Sequence, residues 1–149
     1  MRYLVLQGAN MAWLGRREPH LYGTTTAAEL DAMLRREAEA QGDAVEIFYT
    51  HIEGEAVGRL YEAAEAGIDG AVVNPAGFVH AGYALRDCMR TVPFPCIEVH
   101  MTNIDRRGIH SATGEAAHGI IAGFGIRSYF LGAAALRDVL AGRAGPKPG

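Results

Sequence analysis

VVNPAGFVHAGYALRD, residues Val72 to Asp87, is the stretch around which the rest of the chain is organised. A β-branched apolar pair runs into Asn74, proline and small residues break the strand, and a helical pattern opens at His80. Its apolar stripe is Ala84, Leu85, Cys88 and Met89, and it stops near Pro93. Strand, polar turn and helix meet here. In an open α/β sheet, ligands collect at the carboxyl ends of strands, where the helix starts that follow present unpaired N–H groups. Asn74 and His80 are therefore candidate site residues. A turn cap for Asn74 and a packing role for His80 are the competing explanations.

Working outward, YLVLQ (Tyr3 to Gln7) is a short apolar run without alternation, as expected of a strand buried on both faces. GANMAWLGRREPHLYG follows and is too long for a simple connection. Trp13, Leu14 and Leu21 can anchor it, which suggests an ordered lid pivoting at Gly8, Gly15 and Gly23. Thr26 and Glu29 form a capping box before a helix carrying Leu30, Met33 and Leu34 to about Gln41. Ala44 to Thr50 reads as a second strand, and Val57, Leu60, Tyr61 and Ala64 mark a helix closed by Gly67. GAVVN is the third strand and CIEVH (Cys96 to His100) the fourth, which puts Glu98 and His100 on one face. After a long polar connection, GIIAGF is the fifth strand. Tyr129, Phe130, Ala133, Leu136 and Leu140 then place a last helix. Five strands alternating with helices imply a parallel sheet, and the expected α/β fold is a flavodoxin-like, doubly wound single domain over residues 1–142. Residues 143–149 are expected to be a mobile tail.

A chain of 149 residues buries about two-thirds of its unfolded surface in one core. Cys88 and Cys96 lack a metal-type spacing and fit a reducing compartment, so the cytoplasm is the expected location. A net charge of −3, with no basic stripe, argues against nucleic acid as a partner. Neither a signal peptide nor a membrane span is expected.

GxGxxG is absent after the first strand and GANMAWLG has no lysine, which disfavours dinucleotide and nucleoside triphosphate binding. Asn74 stands where a phosphoreceiver would need aspartate. A zinc site from His80, Glu98 and His100 is chemically admissible, but no CxxC or HExxH pair supports it, and no metal or cofactor is expected. The strand ends collect Asn10, Arg17 and Tyr22 from the first loop, Asn74 and His80 from the third, and Glu98 and His100 from the fourth. A tyrosine, with pKa about 10, serves as a base near neutrality only when a cation such as a nearby arginine favours its phenolate. His100 beside Glu98 has the form of an imidazole held and charged by a carboxylate, as a general acid requires. Alternatively, Tyr22 packs the lid down, and Glu98 and His100 form a structural ion pair.

GAN, LGRREPHLYG, NPAGFVH, ALRD and EVHMTN, in this order, resemble the type II 3-dehydroquinate dehydratases over almost the whole chain. The resemblance implies a cofactor-free, flavodoxin-like lyase of the shikimate pathway, a dodecamer of four trimers, converting 3-dehydroquinate to 3-dehydroshikimate. Tyr22 then resembles the base that takes the proton next to the ketone, with Arg17 favouring its phenolate. Asn10 resembles the residue that orients a water on the enolate oxygen. His100 resembles the acid for the departing hydroxyl, with Glu98 orienting it. Asn74 and His80 match positions that grip substrate hydroxyls, and Met101 and Thr102 match the carboxylate cradle. Asp87 resembles a residue contributed across the trimer interface to Arg107.

Some residues depart from the pattern. Gln7 and Ala9 replace an asparagine and a proline that stiffen the first loop, and MAW stands where a second asparagine is common. DRRGIHS (Asp105 to Ser111) is about three residues shorter than the family segment and lacks its second arginine, leaving Arg106, Arg107 and His110 to compensate. A paralogue acting on a related cyclic hydroxy-keto acid and a non-catalytic acid-binding protein are the alternatives. Retention of Tyr22, Arg17, Glu98 and His100 together disfavours the latter.

Overall fold

The computed structural model describes residues 1–145. Five parallel strands form one sheet: β1 (Arg2–Ala9), β2 (Ala44–Tyr49), β3 (Gly70–Ala76), β4 (Cys96–His100) and β5 (Gly119–Ala122). Their order is β2-β1-β3-β4-β5, the flavodoxin-like arrangement. The helices are α1 (Pro19–Tyr22), α2 (Ala27–Ala40), α3 (Glu53–Glu65), α4 (Tyr83–Thr91) and α5 (Arg127–Leu140).

The unalternating run in β1 is explained by two cores. Leu4 and Leu6 point to the face covered by α3 and α4, where they meet Leu60, Leu85 and Met89. Tyr3 and Val5 point to the other face, onto Leu30 and Leu34 of α2 and Tyr129 and Leu136 of α5. α2 starts at the expected capping box, where Thr26 Oγ1 accepts the Glu29 N–H and Glu29 reaches back to the Thr26 N–H. α3 begins at Glu53, a turn ahead of its apolar stripe. That turn has a use: Glu53 Oε1 accepts the Leu85 N–H at 2.9 Å, capping α4, whose own N-cap is the side-chain-less Gly82.

Three expectations change. β3 continues through Pro75 to Ala76, because its pairing with β4 ends at Val73 while β1 still pairs Ala9 with Ala76. His80 does not open the helix. It closes a short helical turn, Gly77–His80, sealed by the Gly82 N–H on the Phe78 carbonyl at 2.7 Å, and α4 starts only at Tyr83. Gly8 is no pivot: it lies within β1, and a Cβ there would collide with the Pro75 carbonyl.

The connection after β1 is ordered. A short turn, Met11–Trp13, and the four-residue α1 are held by buried Met11 and Leu14. Trp13 and Leu21 are exposed and contribute little to that anchoring. Past α5, Arg143 bonds Asp138 at 3.0 Å and the Gly145 carbonyl lies 2.9 Å from His118 Nε2, so the start of the proposed tail is tied to the domain. The remainder of that segment, 146–149, lies outside the described residues. Among the described residues, no helix is long and apolar enough to cross a membrane.

Candidate active site

Strand order reverses at β1, with β2 on one side and β3 on the other, and the connections after β1, β3 and β4 meet above the carboxyl ends. They surround a partly open cavity. Tyr22 and Arg17 enter it from the first connection, Asn74 and His80 from the third strand and its turn, and His100, Met101, Thr102 and Arg107 from the fourth strand and beyond.

Tyr22 stands between two cations. The Arg17 guanidinium carbon is 5.5 Å from the ring centroid and that of Arg107 is 6.0 Å away. Arg107 Nη1 also reaches the Tyr22 hydroxyl oxygen at 3.3 Å and donates to Thr102 Oγ1 at 3.0 Å. Of the three residues left to compensate for the shortened segment, Arg107 is therefore the one that folds back into the cavity. Arg106 is exposed and outside the lining, and His110 turns to Glu115 at 3.4 Å.

His100 and Glu98 are a buried pair, with His100 Nε2 and Glu98 Oε1 at 2.6 Å. The other carboxylate oxygen, Oε2, accepts the Thr113 hydroxyl at 2.7 Å. With both oxygens engaged, Glu98 does not join His80 and His100 as a ligand set. Among the described residues, no three His, Cys, Asp or Glu side chains converge for a metal ion.

Asn74 is buried in the cavity wall, and its amide is already in use. Oδ1 accepts the Ala76 N–H at 3.0 Å, and Nδ2 donates to the Tyr129 hydroxyl at 2.7 Å and faces Met11 Sδ at 3.6 Å. Tyr129 in turn donates to Gln7 Oε1 at 2.7 Å. Burial drives the Tyr129 pKa far above the ordinary phenol value, so this hydroxyl remains a neutral donor. Gln7, one of the departures from the family pattern, thus supports Asn74 from beneath. The turn-cap explanation of Asn74 is correct for its oxygen, and the residue also shapes the cavity.

Asn10 lies beside the cavity, in an adjoining groove with Trp13, Arg17 and His51. Its backbone is left-handed, with φ of 74°, which asparagine tolerates better than most residues. Its N–H donates to His51 Nδ1 at 2.9 Å. Asp87 is distant from the cavity: it is exposed on α4 beside Arg86 and Arg90. Among the described residues, no hydrogen bond or ion pair joins it to Arg107.

Sequence reasoning placed Tyr22, Arg17, His80 and His100 in the cavity but missed Thr113, Tyr129, Gln7 and His51. The signal for Thr113 was faint: a Ser-x-Thr in an otherwise loop-like polar segment. Tyr129 and Gln7 read as ordinary core and strand positions, and only the fold brings them together.

Residues 1–137 match the family Dehydroquinase class II. A 3-dehydroquinate dehydratase of Cellvibrio japonicus is 39% identical over 140 residues, covering 92% of this chain and 95% of that protein. Another, from Ectopseudomonas mendocina, is 40% identical over 144 residues, covering 95% and 97%. Among solved structures, the type II dehydroquinase of Propionibacterium acnes superposes with a TM-score of 0.86 at 38% identity, covering 94% of this chain and 96% of that one. That of Butyrivibrio crossotus gives 0.88 at 32% identity, covering 92% and 97%. With this fold, this cavity and these relatives, the chain belongs to the class II dehydroquinase family.

Proposed function

We propose that this protein is a hydro-lyase that eliminates water from 3-dehydroquinate to give 3-dehydroshikimate, with Tyr22 as base and His100 as acid. The observation that carries the reading is one cavity holding a tyrosine flanked by two arginines and an imidazole backed by a buried carboxylate. Tyr22, as phenolate, takes the proton from the carbon next to the ketone. Arg107 Nη1 donates to the Tyr22 oxygen at 3.3 Å, and the Arg17 guanidinium lies over its ring at 5.5 Å. The electrons of the broken C–H bond move onto the ketone oxygen as an enolate, which a water oriented by Asn10 stabilises. Collapse of the enolate forms the C=C bond and breaks the C–O bond, and His100 supplies the proton with which the hydroxyl leaves as water. No electron leaves the substrate, so the chemistry requires no redox partner.

His80 binds ring hydroxyls, with Asn74 forming the wall beside it, and Met101 and Thr102 receive the carboxylate. We further propose that the active unit is an assembly of trimers, most simply a dodecamer, in which Asp87 of one copy completes the site of another. The compartment is the cytoplasm, in keeping with a sequence that carries only two cysteines in 149 residues and so is not built on a disulfide framework. Incubating purified protein with 3-dehydroquinate tests the activity, because the product is a conjugated enone with new ultraviolet absorbance. A steady rise proportional to enzyme is expected, and a flat trace would overturn the assignment.

A further inference from the structure

We propose that Ser111 and Thr113 form a one-directional hydrogen-bond relay that holds Glu98 as a double acceptor and so makes Nδ1 the proton-exchanging nitrogen of His100. This rests on the reading of His100 as the acid, and assigns the residues that set its state.

The direction follows from counting protons. The Gly114 N–H can only donate, and it donates to Ser111 Oγ at 3.1 Å. Ser111 Oγ lies 3.1 Å from Thr113 Oγ1, and both hydroxyls are buried. Thr113 Oγ1 lies 2.7 Å from Glu98 Oε2. A carboxylate accepts only, so the Thr113 proton points to Glu98 and the Ser111 proton points to Thr113. Glu98 Oε1 is 2.6 Å from His100 Nε2. With Oε2 already receiving a proton donor, Glu98 is satisfied as the ionised acceptor at both oxygens, and Nε2 carries the hydrogen between them. Nδ1 is then the ring nitrogen left to carry or surrender a proton on the cavity side, as a general acid must.

The backbone is arranged around this chain of bonds. The segment runs close to Glu98: a Cβ on Gly114 would lie 3.3 Å from Glu98 Oε1 and 2.7 Å from the end of the Ile120 side chain, so a larger residue there would have to displace Ile120 and press on the Glu98 carboxylate. The Ala112 N–H donates to the Val79 carbonyl at 2.9 Å, fixing the segment to the turn that ends in His80. Glu98 and Thr113 are completely buried, so bulk solvent does not reach the carboxylate to replace the hydroxyl.

Thr113 and Ser111 are positioning residues that touch no substrate. Thr113→Val keeps the shape and removes the donor, while Thr113→Ser keeps the donor. Thr113→Val is expected to lower kcat by about ten- to hundredfold, the usual effect of losing a hydrogen bond to a buried charge, with KM within about twofold of wild type. Thr113→Ser should restore most of kcat. Nitrogen-15 NMR of labelled protein supplies a readout independent of turnover: wild-type His100 should show a protonated Nε2 in its neutral form, and Thr113→Val should lose that single tautomer. Equal kcat in wild type and Thr113→Val overturns the relay. So does equal loss in Val and Ser variants of native circular dichroism, since that marks packing rather than a donor. An unchanged His100 spectrum in Thr113→Val also overturns it. If the wild type fails to turn over 3-dehydroquinate, the proposed reaction falls, while the NMR comparison still decides the relay.

Discussion

Arg107→Met removes the cation that touches the Tyr22 hydroxyl and leaves a side chain of similar reach. The lost contact is the 3.3 Å bond from Nη1 to the phenol oxygen, together with the 3.0 Å bond that ties the same nitrogen to Thr102. A hydrogen bond to a charged oxygen contributes about 1.5 to 3 kcal/mol. Coulomb attraction between unit charges about 4 Å apart gives about 1 to 4 kcal/mol between bulk-water and protein-surface screening, consistent with that range. Arg17 remains over the ring at 5.5 Å, so the phenolate keeps one cation and the loss stays at this scale. At about 1.4 kcal/mol per tenfold, kcat/KM should fall about 10- to 150-fold. Arg107→Lys should fall between, because the ammonium keeps the positive charge but is a compact head on a shorter side chain that does not reproduce the position of Nη1. Circular dichroism, Tm and light scattering of the variant separate a catalytic loss from a loss of folding or assembly, because Arg107 is exposed within one chain but is the proposed partner of Asp87 across the interface. The assay is the initial rate of enone formation over a range of 3-dehydroquinate concentrations. A variant within twofold of wild type in kcat/KM would show that Arg107 does not replace the missing second arginine and does not support Tyr22.

Three further outcomes follow from other parts of the molecule. Tyr129→Phe strands Gln7 Oε1 and takes from Asn74 its 2.7 Å acceptor, so a loss of about 2 to 5 kcal/mol, or roughly 5 to 15 °C in Tm, is expected; a melt within about 2 °C of wild type would contradict it. Burial works against the Asp43 carboxylate, but hydrogen bonds from the Met1 amino group and Arg137 outweigh it and lower its pKa. A folded-state pKa below the unfolded value gives stability that is complete above about pH 5 and lost as pH falls through the folded pKa. Denaturant titrations should therefore show the advantage of wild type over Asp43→Asn shrinking below about pH 4, whereas a pH-independent difference would refute the pairing. Light scattering at micromolar concentration should report a trimer or a multiple of it, and a clean monomer would remove the interface role of Asp87.

Elements whose signals are local were readable from the chain. The Thr26–Glu29 capping box, the limits of β4 and the unalternating apolar run of β1 depend on near neighbours in sequence. The start of α4 was not, because Glu53, thirty-two positions away from Leu85, caps it. The extension of β3 to Ala76 was hidden by Pro75, a residue that normally argues against a strand interior. In the site, Glu98 and His100 were visible through their spacing of two on one strand. Tyr22 and Arg17 share one loop, and the chain order of motifs placed them beside the same sheet end. The return of Arg107 depends on the path of the shortened segment, and the support of Asn74 by Tyr129 spans fifty-five residues. Neither has a periodicity or spacing that one sequence displays.

The central claim is that Tyr22 is the base, and turnover by Tyr22→Phe tests it most directly. The substitution removes one hydroxyl and leaves the ring between Arg17 and Arg107, so circular dichroism and Tm should match wild type. The account predicts that kcat for 3-dehydroquinate falls by about 10² to 10⁴, the contribution of a positioned general base. Wild-type turnover by Tyr22→Phe would contradict it and move the base elsewhere in the cavity.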